Sequence, residues 1–443
     1  MDKTQRAGTE SIENIEHTDN IENPESAQAQ TQPEATEGKS GFKLFAGDKV
    51  LWIILATLGM ISILVVYSSS AKMGYSPYES RTATDFLLEQ IKRVSICAAL
   101  ILVVHRLNCR LYNRLALLLF VGCTLLTAAT YFTAQTTNGA ARWILGIQPS
   151  EALKIATVVF LARQLAARQA KISRLRIVPS LDPRKWFKSP AQKKIWREGT
   201  IPVLLPVVIA CGTIVTAHTS SAILVFAISM IMMYVGRVKG TELLKVLGLA
   251  AAAGIIFLFA FKIGRSDTAT SRVGTWKDLW TKSWTETSID QLPDTERAMI
   301  AIHEGGLFGR GAGRSLMRVK LTHPECDYTF ALFVEEYGMI LAVIMMIFYL
   351  WISVRGIVIF TRCETAFPSL LVLGLVLLIT LQALLHVMVA VNLIPETGQT
   401  LPFVSRGGSS MFFSAIAMGM VLGVSRQNDE KSHDKPRGES IVE

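Results

Sequence analysis

The sequence predicts an all-α polytopic membrane protein with ten transmembrane helices. Three observations carry this. Half of the residues are hydrophobic and only 18% are charged. Several uninterrupted apolar runs reach the roughly 20 residues needed to cross a hydrocarbon core, and a soluble fold does not collect so many. The net charge of +10 is concentrated in short connections between those runs, where lysine and arginine fix orientation. That distribution marks a membrane partner and not a nucleic acid.

Residues 1–46 hold nine acidic residues, many Gln, Ser, Thr and Ala, and no apolar periodicity. They read as a disordered acidic cytoplasmic tail. The first apolar run begins near Leu51 without a following small-residue cleavage site. It is expected to be a retained helix and not a secretory signal. Ten spans are then expected near residues 50–68, 86–105, 112–132, 149–168, 201–217, 219–236, 241–263, 328–354, 367–391 and 408–425. They make one membrane domain over 47–426, followed by a C-terminal tail over 427–443.

An even number of spans leaves both termini on one side. Arg106, Arg110 and Arg114 follow the second span, and eleven Lys or Arg lie between Arg163 and Arg197. Arg237, Lys239, Arg355 and Arg362 mark later connections on the same face. The positive-inside rule makes that face, and both termini, cytoplasmic.

The opposite face carries one large loop, residues 264–327, between the seventh and eighth spans, with nine basic and nine acidic residues. Its Trp276, Trp280 and Trp284 recur every four residues. That spacing predicts an interfacial helix anchored at headgroup level.

The six cysteines form no metal-binding or disulfide pattern. Cys326 falls on the outer side without a partner. No inverted internal repeat of the kind common in secondary transporters is evident.

Two polar, glycine- and proline-containing stretches interrupt the apolar pattern: 311–327 and 392–410. Bare backbone of this kind has no hydrogen-bond partners in lipid. Each is expected to line a protein-enclosed cavity or to cover the membrane surface. The outward ends of the fourth, eighth and tenth spans therefore hold the candidate chemistry.

At the fourth span, Pro149 suits the first helical position. Glu151 and Lys154, three residues apart, share one helix face inside the membrane, where charges are costly and mark function or a neutralising pair. Arg142 and Trp143 precede them as an anion-binding guanidinium beside an aromatic platform.

Before the eighth span, Gly305 to Ser315 is a glycine-rich basic turn whose amides suit phosphate oxygens. Asp327 stands where the chain enters the membrane, either as the cap of the eighth helix or as a base in a cavity. Glu335 or Glu336, one to two turns deeper, is expected to face the bundle interior. At the tenth span, Ser405, Arg406, Ser409 and Ser410 bring hydroxyls and a guanidinium to a helix N-terminus, which favours anions. His218, His303, His323 and His386 are scattered and read as structural.

Four strings, in this order, resemble the shape, elongation, division and sporulation (SEDS) family of membrane proteins over residues 50–425. They are Tyr67-Ser-Ser-Ser70; Gly139 through Arg142-Trp143 and Gln148-Pro-Ser-Glu151 to Lys154; Gly306-Leu-Phe-Gly309 and Gly311-Ala-Gly-Arg-Ser315 leading to Asp327 and Glu335-Glu-Tyr-Gly338; and Leu401-Pro-Phe-Val-Ser-Arg-Gly-Gly-Ser-Ser410.

The resemblance implies a peptidoglycan glycosyltransferase in the bacterial cytoplasmic membrane. It would polymerise lipid II into β-1,4 glycan strands, with undecaprenyl pyrophosphate as leaving group. It places the family's catalytic aspartate at Asp327. A carboxylate at a helix start suits a base for a sugar hydroxyl. Inversion needs the leaving group on the opposite face of the anomeric carbon, where Arg142, Lys154, Arg406 and the glycine turns could receive the pyrophosphate.

A divalent cation, Mg or Mn, bridging Asp327 and the pyrophosphate is compatible with this chemistry, although the sequence has no dedicated oxygen-rich cage. The implied partners are a class B penicillin-binding protein transpeptidase and membrane proteins of the division machinery. The long N-terminal tail, Asn138-Gly-Ala-Ala-Arg142 and Thr397-Gly-Gln-Thr-Leu-Pro402 favour the division branch over the elongation branch. The chain departs from the family at Arg406, where tyrosine is common, and at Arg297, where glutamine is. A lipid II flippase and a non-catalytic scaffold are the competing readings. The presence of Asp327 argues against the scaffold, and the outward placement of the unusual residues argues against transport.

Overall fold

The computed structural model describes residues 45–69, 83–133, 136–137, 140–141, 146–172, 196–215, 218–260, 272–277, 289–322 and 324–434. The acidic tail, Trp280, Trp284, His323, Arg142 and Trp143 lie outside them.

Helices form at all ten expected positions. They are α1 (Lys49–Ser69), α2 (Ala83–Val104), α3 (Cys109–Thr133), α4 (Pro149–Ala167), α5 (Ile201–Val215), α6 (Thr219–Val235) and α7 (Gly240–Ala260). After them come a loop helix, α8 (Asp294–Gly305), and then α9 (Thr329–Arg362), α10 (Ala366–Ala390) and α11 (Gly408–Asp434). A two-residue hairpin, β1 (Thr136–Thr137) and β2 (Ala140–Ala141), pairs antiparallel before α4. Among the described residues, six helices are long and apolar enough to cross a membrane by length and composition. The chain is thus a helical, multi-pass membrane protein.

Local chemistry explains the helix ends. The Asp48 carboxylate accepts hydrogen bonds from Val50 N at 2.9 Å and Leu51 N at 3.1 Å, capping α1. It also pairs with Arg355 from the far end of α9. Pro149 opens α4 as expected, behind Gln148 at the N-cap. Helix α10 closes in a Schellman turn: Leu393 N donates to Met388 O at 2.8 Å and Asn392 N to Val389 O at 3.0 Å. Asn392, at φ 56°, is one of the few residue types that enter this conformation readily.

Helix α4 is central. It packs against α3, α5, α6, α10 and α11, and most of its residues are buried. That all-round burial is why its sequence shows no polar face and why its two buried charges, Glu151 and Lys154, must find partners inside the protein.

The glycine-rich turn packs against α9. Helix α9 is broken at Gly338 (φ 83°, ψ 165°). The freed backbone groups pair with the turn: Arg310 N donates to Glu335 O (2.9 Å), Gly311 N to Glu336 O (3.0 Å), and Met339 N to Gly306 O (2.9 Å). The approach is so close that a Cβ on Gly309 would lie 2.3 Å from Glu336 O, and one on Gly305 2.2 Å from Val334 O. The Arg310 and Gly311 amides are thus spent on repairing a broken helix.

Glu335 and Glu336 are both buried, not just one. Glu335 accepts from Leu316 N at 2.7 Å and from the Ser315 hydroxyl, and Glu336 accepts from the Ser68 hydroxyl. Each carboxylate ties the start of α9 to a loop or to α1.

Candidate functional site

The two polar stretches meet. The stretch between α10 and α11 plunges into one end of the bundle, with Leu401, Phe403 and Val404 buried. Its carbonyls are satisfied by side chains from four helices, as backbone in this setting requires. Ser62 of α1 donates to Val404 O at 2.9 Å. Ser220 of α6 donates to Thr397 O at 3.0 Å. Tyr349 of α9 donates to Pro402 O, and Gln382 of α10 to Thr400 O at 3.1 Å. These ties hold Phe403 at φ 65°, a conformation unusual for a bulky residue.

This buried loop holds the turn that carries Asp327. Arg406 N donates to Glu325 O at 2.8 Å. The Ser405 hydroxyl lies 3.0 Å from Cys326 O and 2.8 Å from the Thr329 hydroxyl, and it accepts from Leu401 N at 2.9 Å. The Cys326 thiol donates to Arg406 O at 3.3 Å. Burial pushes that thiol up to about 12, with Glu325 and Asp327 adding to it, so little of it is the reactive thiolate at neutral pH.

Asp327 itself is half-buried at the head of α9. Tyr328, and not Asp327, occupies the N-cap position, and the Tyr328 side chain makes no capping hydrogen bond. The first-turn amide of Phe330 is met from another helix, donating to His386 Nε2 at 3.3 Å, while His386 Nδ1 faces Gln399 O at 2.7 Å. Nδ1 therefore carries the proton. His386 joins α9, α10 and the loop in one side chain, a role its lone position in an apolar run could not reveal.

The other expected site residues fall in two groups. Arg406 pairs with Glu89 of α2 at 3.2 Å and lies 4.6 Å over the Phe86 ring. Glu89 also pairs with Arg93, so two guanidiniums share one carboxylate. The second group lies between α4, α10 and α11. Lys154 Nζ is 2.8 Å from Glu151 and 3.2 Å from Gln382 Oε1, and it is only 1% exposed. Gln382 Nε2 reaches the Ser410 hydroxyl at 3.4 Å, which also accepts from Thr400 at 3.0 Å. Ser409 is buried nearby in sequence.

Gln382, Gln399 and Glu89 belong to these networks without having been singled out in the sequence. Glutamines within apolar helices or loops are the only signal that pointed to two of them. Arg297 spends its guanidinium on Ile289 O, Lys320 O, Asp290 O and Asp294, so it staples the large loop together. Trp276 is half-buried and donates to Asn392 O at 3.0 Å; Trp280 and Trp284, expected on the same face, lie outside the described residues.

A Mg or Mn ion at this site would take Asp327 as its protein carboxylate and draw its remaining oxygens from substrate phosphates and water. Among the described residues no three His, Cys, Asp or Glu side chains converge as metal ligands.

Comparison with known proteins agrees with this architecture. Residues 48–430 match the cell cycle protein family that unites FtsW, RodA and SpoVE. Stage V sporulation protein E of Bacillus subtilis is 27% identical over 86% of this chain and 97% of its own length. The probable peptidoglycan glycosyltransferase FtsW of Geobacter metallireducens is 26% identical over 85% of this chain and 94% of its own.

A structure described as the coordination of polymerization and crosslinking by a peptidoglycan synthase complex superposes with a TM-score of 0.62 at 19% identity. It covers 86% of this chain and 98% of its own. The rod shape determining protein RodA of Thermus thermophilus gives 0.56 at 21% identity, with the same coverage. A match spanning nearly the whole helical bundle, with the same fold in two solved relatives, places this chain in the FtsW/RodA/SpoVE cell cycle protein family.

Proposed function

We propose that this chain is a peptidoglycan glycosyltransferase that polymerises lipid II at the outer face of the bacterial cytoplasmic membrane. Its curated relatives carry that activity in their names. The observation that carries the reading is the setting of Asp327: a half-buried carboxylate on a turn pinned from both sides, with the Arg93–Glu89–Arg406 cluster tied to the residue before it.

In this reading Asp327 accepts the proton of the attacking sugar hydroxyl. Arg406 and Arg93 receive the departing diphosphate, whose charge grows as the glycosidic bond breaks. All ten long helices cross the bilayer with both termini cytoplasmic and the 264–327 loop outside. The basic connections at the end of the bundle opposite Asp327 support that orientation.

The role is assigned to cell division, with a class B penicillin-binding protein as the transpeptidase that cross-links the product. The acidic tail is available to other division proteins. The deciding experiment is polymerisation of purified lipid II by the chain with its transpeptidase. Asp327→Asn is expected to abolish glycan synthesis while leaving the melting profile unchanged. Full activity in that variant would remove the proposed base. Transfer of labelled lipid II across vesicles without polymer would favour a flippase.

A further inference from the structure

On the other side of the Asp327 turn lies a cavity of about 230 Å³ that Tyr328 lines together with residues of the large loop, α8 and the α10–α11 loop. Its walls are fixed. Trp276 is held through its ring nitrogen to Asn392 O, and Asn392 Nδ2 donates to Thr295 O at 3.1 Å. Arg272 donates to Glu396 O at 3.3 Å and stands 4.0 Å from its carboxylate. Asp294 is balanced by Arg297 at 2.9 Å.

Two polar groups on this wall are unsatisfied. The hydroxyls of Tyr328 and Thr295 are buried and make no hydrogen bond of normal geometry. The residues are 2% and 8% exposed. The Glu396 carboxylate lies within side-chain reach of the Tyr328 hydroxyl, but geometry does not join them. A buried hydroxyl left unpaired costs about 1–3 kcal/mol, so two on one wall mark a place where something else supplies the partners.

The lining chemistry selects the occupant. Two carboxylates disfavour an anion. Both already face guanidiniums, and no metal-binding set converges among the described residues, which disfavours a cation. The volume is below the roughly 300–1,000 Å³ of pockets for drug-sized ligands, so one ring fits and a folded peptide segment does not. An indole beside acceptors and hydroxyl donors matches a neutral polyol ring: its C–H face lies on the aromatic surface and its hydroxyls reach the polar rim.

We propose that this cavity binds one sugar ring of the attacking saccharide, beside the base and away from the Arg406 cluster. The proposal rests on the glycosyltransferase reading. It assigns Trp276 as the sugar platform, with Tyr328 and Thr295 as hydroxyl partners and Glu396 and Asp294 as acceptors. It also gives the turn a division of labour: residue 326 is tied to the cationic side, residue 328 faces the sugar, and Asp327 stands between them.

The test uses the full chain in nanodiscs and a soluble β-1,4-linked N-acetylglucosamine trisaccharide, observed by saturation-transfer NMR. The wild type and Asp327→Asn are expected to bind it equally. Trp276→Leu should weaken binding at least fivefold, and Trp276→Phe, which keeps an aromatic face, should restore most of it. Thr295→Val removes one unpaired hydroxyl; it should keep or raise the melting temperature and still weaken binding several-fold. That variant decides the matter if Trp276→Leu does not fold.

No trisaccharide binding to wild type, or equal binding to Trp276→Leu and Thr295→Val, overturns the assignment. The two readings separate cleanly. Polymerisation by Asp327→Asn at wild-type rate defeats the base and leaves the sugar site standing. Loss of polymerisation in Asp327→Asn, with binding indifferent to Trp276 and Thr295, does the reverse.

Discussion

Lys154→Met tests whether the charge pair in the central helix is a structural hinge of the site. Lys154 is 1% exposed and its ammonium lies 2.8 Å from Glu151. At an effective dielectric constant of about 20 the Coulomb term at that distance is roughly 6 kcal/mol. Desolvation offsets part of it, and removing one partner of a buried pair costs about 3–5 kcal/mol because the remaining charge is stranded.

The expected fall in melting temperature is on the order of 10 °C, read by thermal shift of the detergent-solubilised protein. The double variant Glu151→Gln, Lys154→Met removes both charges and should recover most of that loss. Polymerisation should not recover with it, because Lys154 also holds Gln382 Oε1 at 3.2 Å, and Gln382 carries Thr400 and Ser410. A single variant that melts within about 1 °C of wild type would show that the pair contributes little. A double variant with full activity would show that the pair only neutralises itself.

Three further outcomes are expected. Gly309→Ala should prevent accumulation of folded protein, since its Cβ would sit 2.3 Å from Glu336 O at φ 78°. Gly248→Ala, where nothing lies within 4 Å, should stabilise helix α7 by up to about 1 kcal/mol; comparing the two by fluorescence-detected size exclusion checks the close approach. Arg406→Ala should lower kcat/KM for lipid II roughly tenfold, the loss of about one charge-assisted contact to a diphosphate, with most of the fall in kcat because the diphosphate's charge grows in the transition state; an unchanged kcat/KM in steady-state kinetics would place the diphosphate elsewhere. In a variant retaining only Cys326, maleimide labelling should be slow at pH 7–9 and accelerate about tenfold per pH unit toward the thiol's value of about 12; rapid labelling at pH 7 would mean an exposed thiolate.

Much of the fold was legible because lipid leaves few options for a backbone. Runs such as 366–390 and 49–69 are apolar all round and long enough that only a helix satisfies their amides. Pro149 marked the start of α4 for the same reason. The 392–410 stretch was legible as backbone that cannot lie bare in lipid, but whether it lined a cavity or covered the surface was decided by its burial in the bundle. In the glycine turn, glycine signals close approach of something, and sequence could not say that the amides of Arg310 and Gly311 meet the carbonyls of Glu335 and Glu336. Spacing placed Trp276 on a helix face but could not name its partner, the Asn392 carbonyl.

By itself the sequence determined the helices, their order, the two polar interruptions and the carboxylate at Asp327, because each follows from hydrogen-bond satisfaction or charge cost along a local stretch of chain. Only the tertiary structure decided that Ser405 clasps the Asp327 turn, that Arg406 shares Glu89 with Arg93, that Lys154 reaches the loop through Gln382, and that Tyr328 opens onto a cavity with Trp276. Those partners lie tens to hundreds of residues apart, and a side chain's partner is fixed by packing in three dimensions, for which local spacing carries no information.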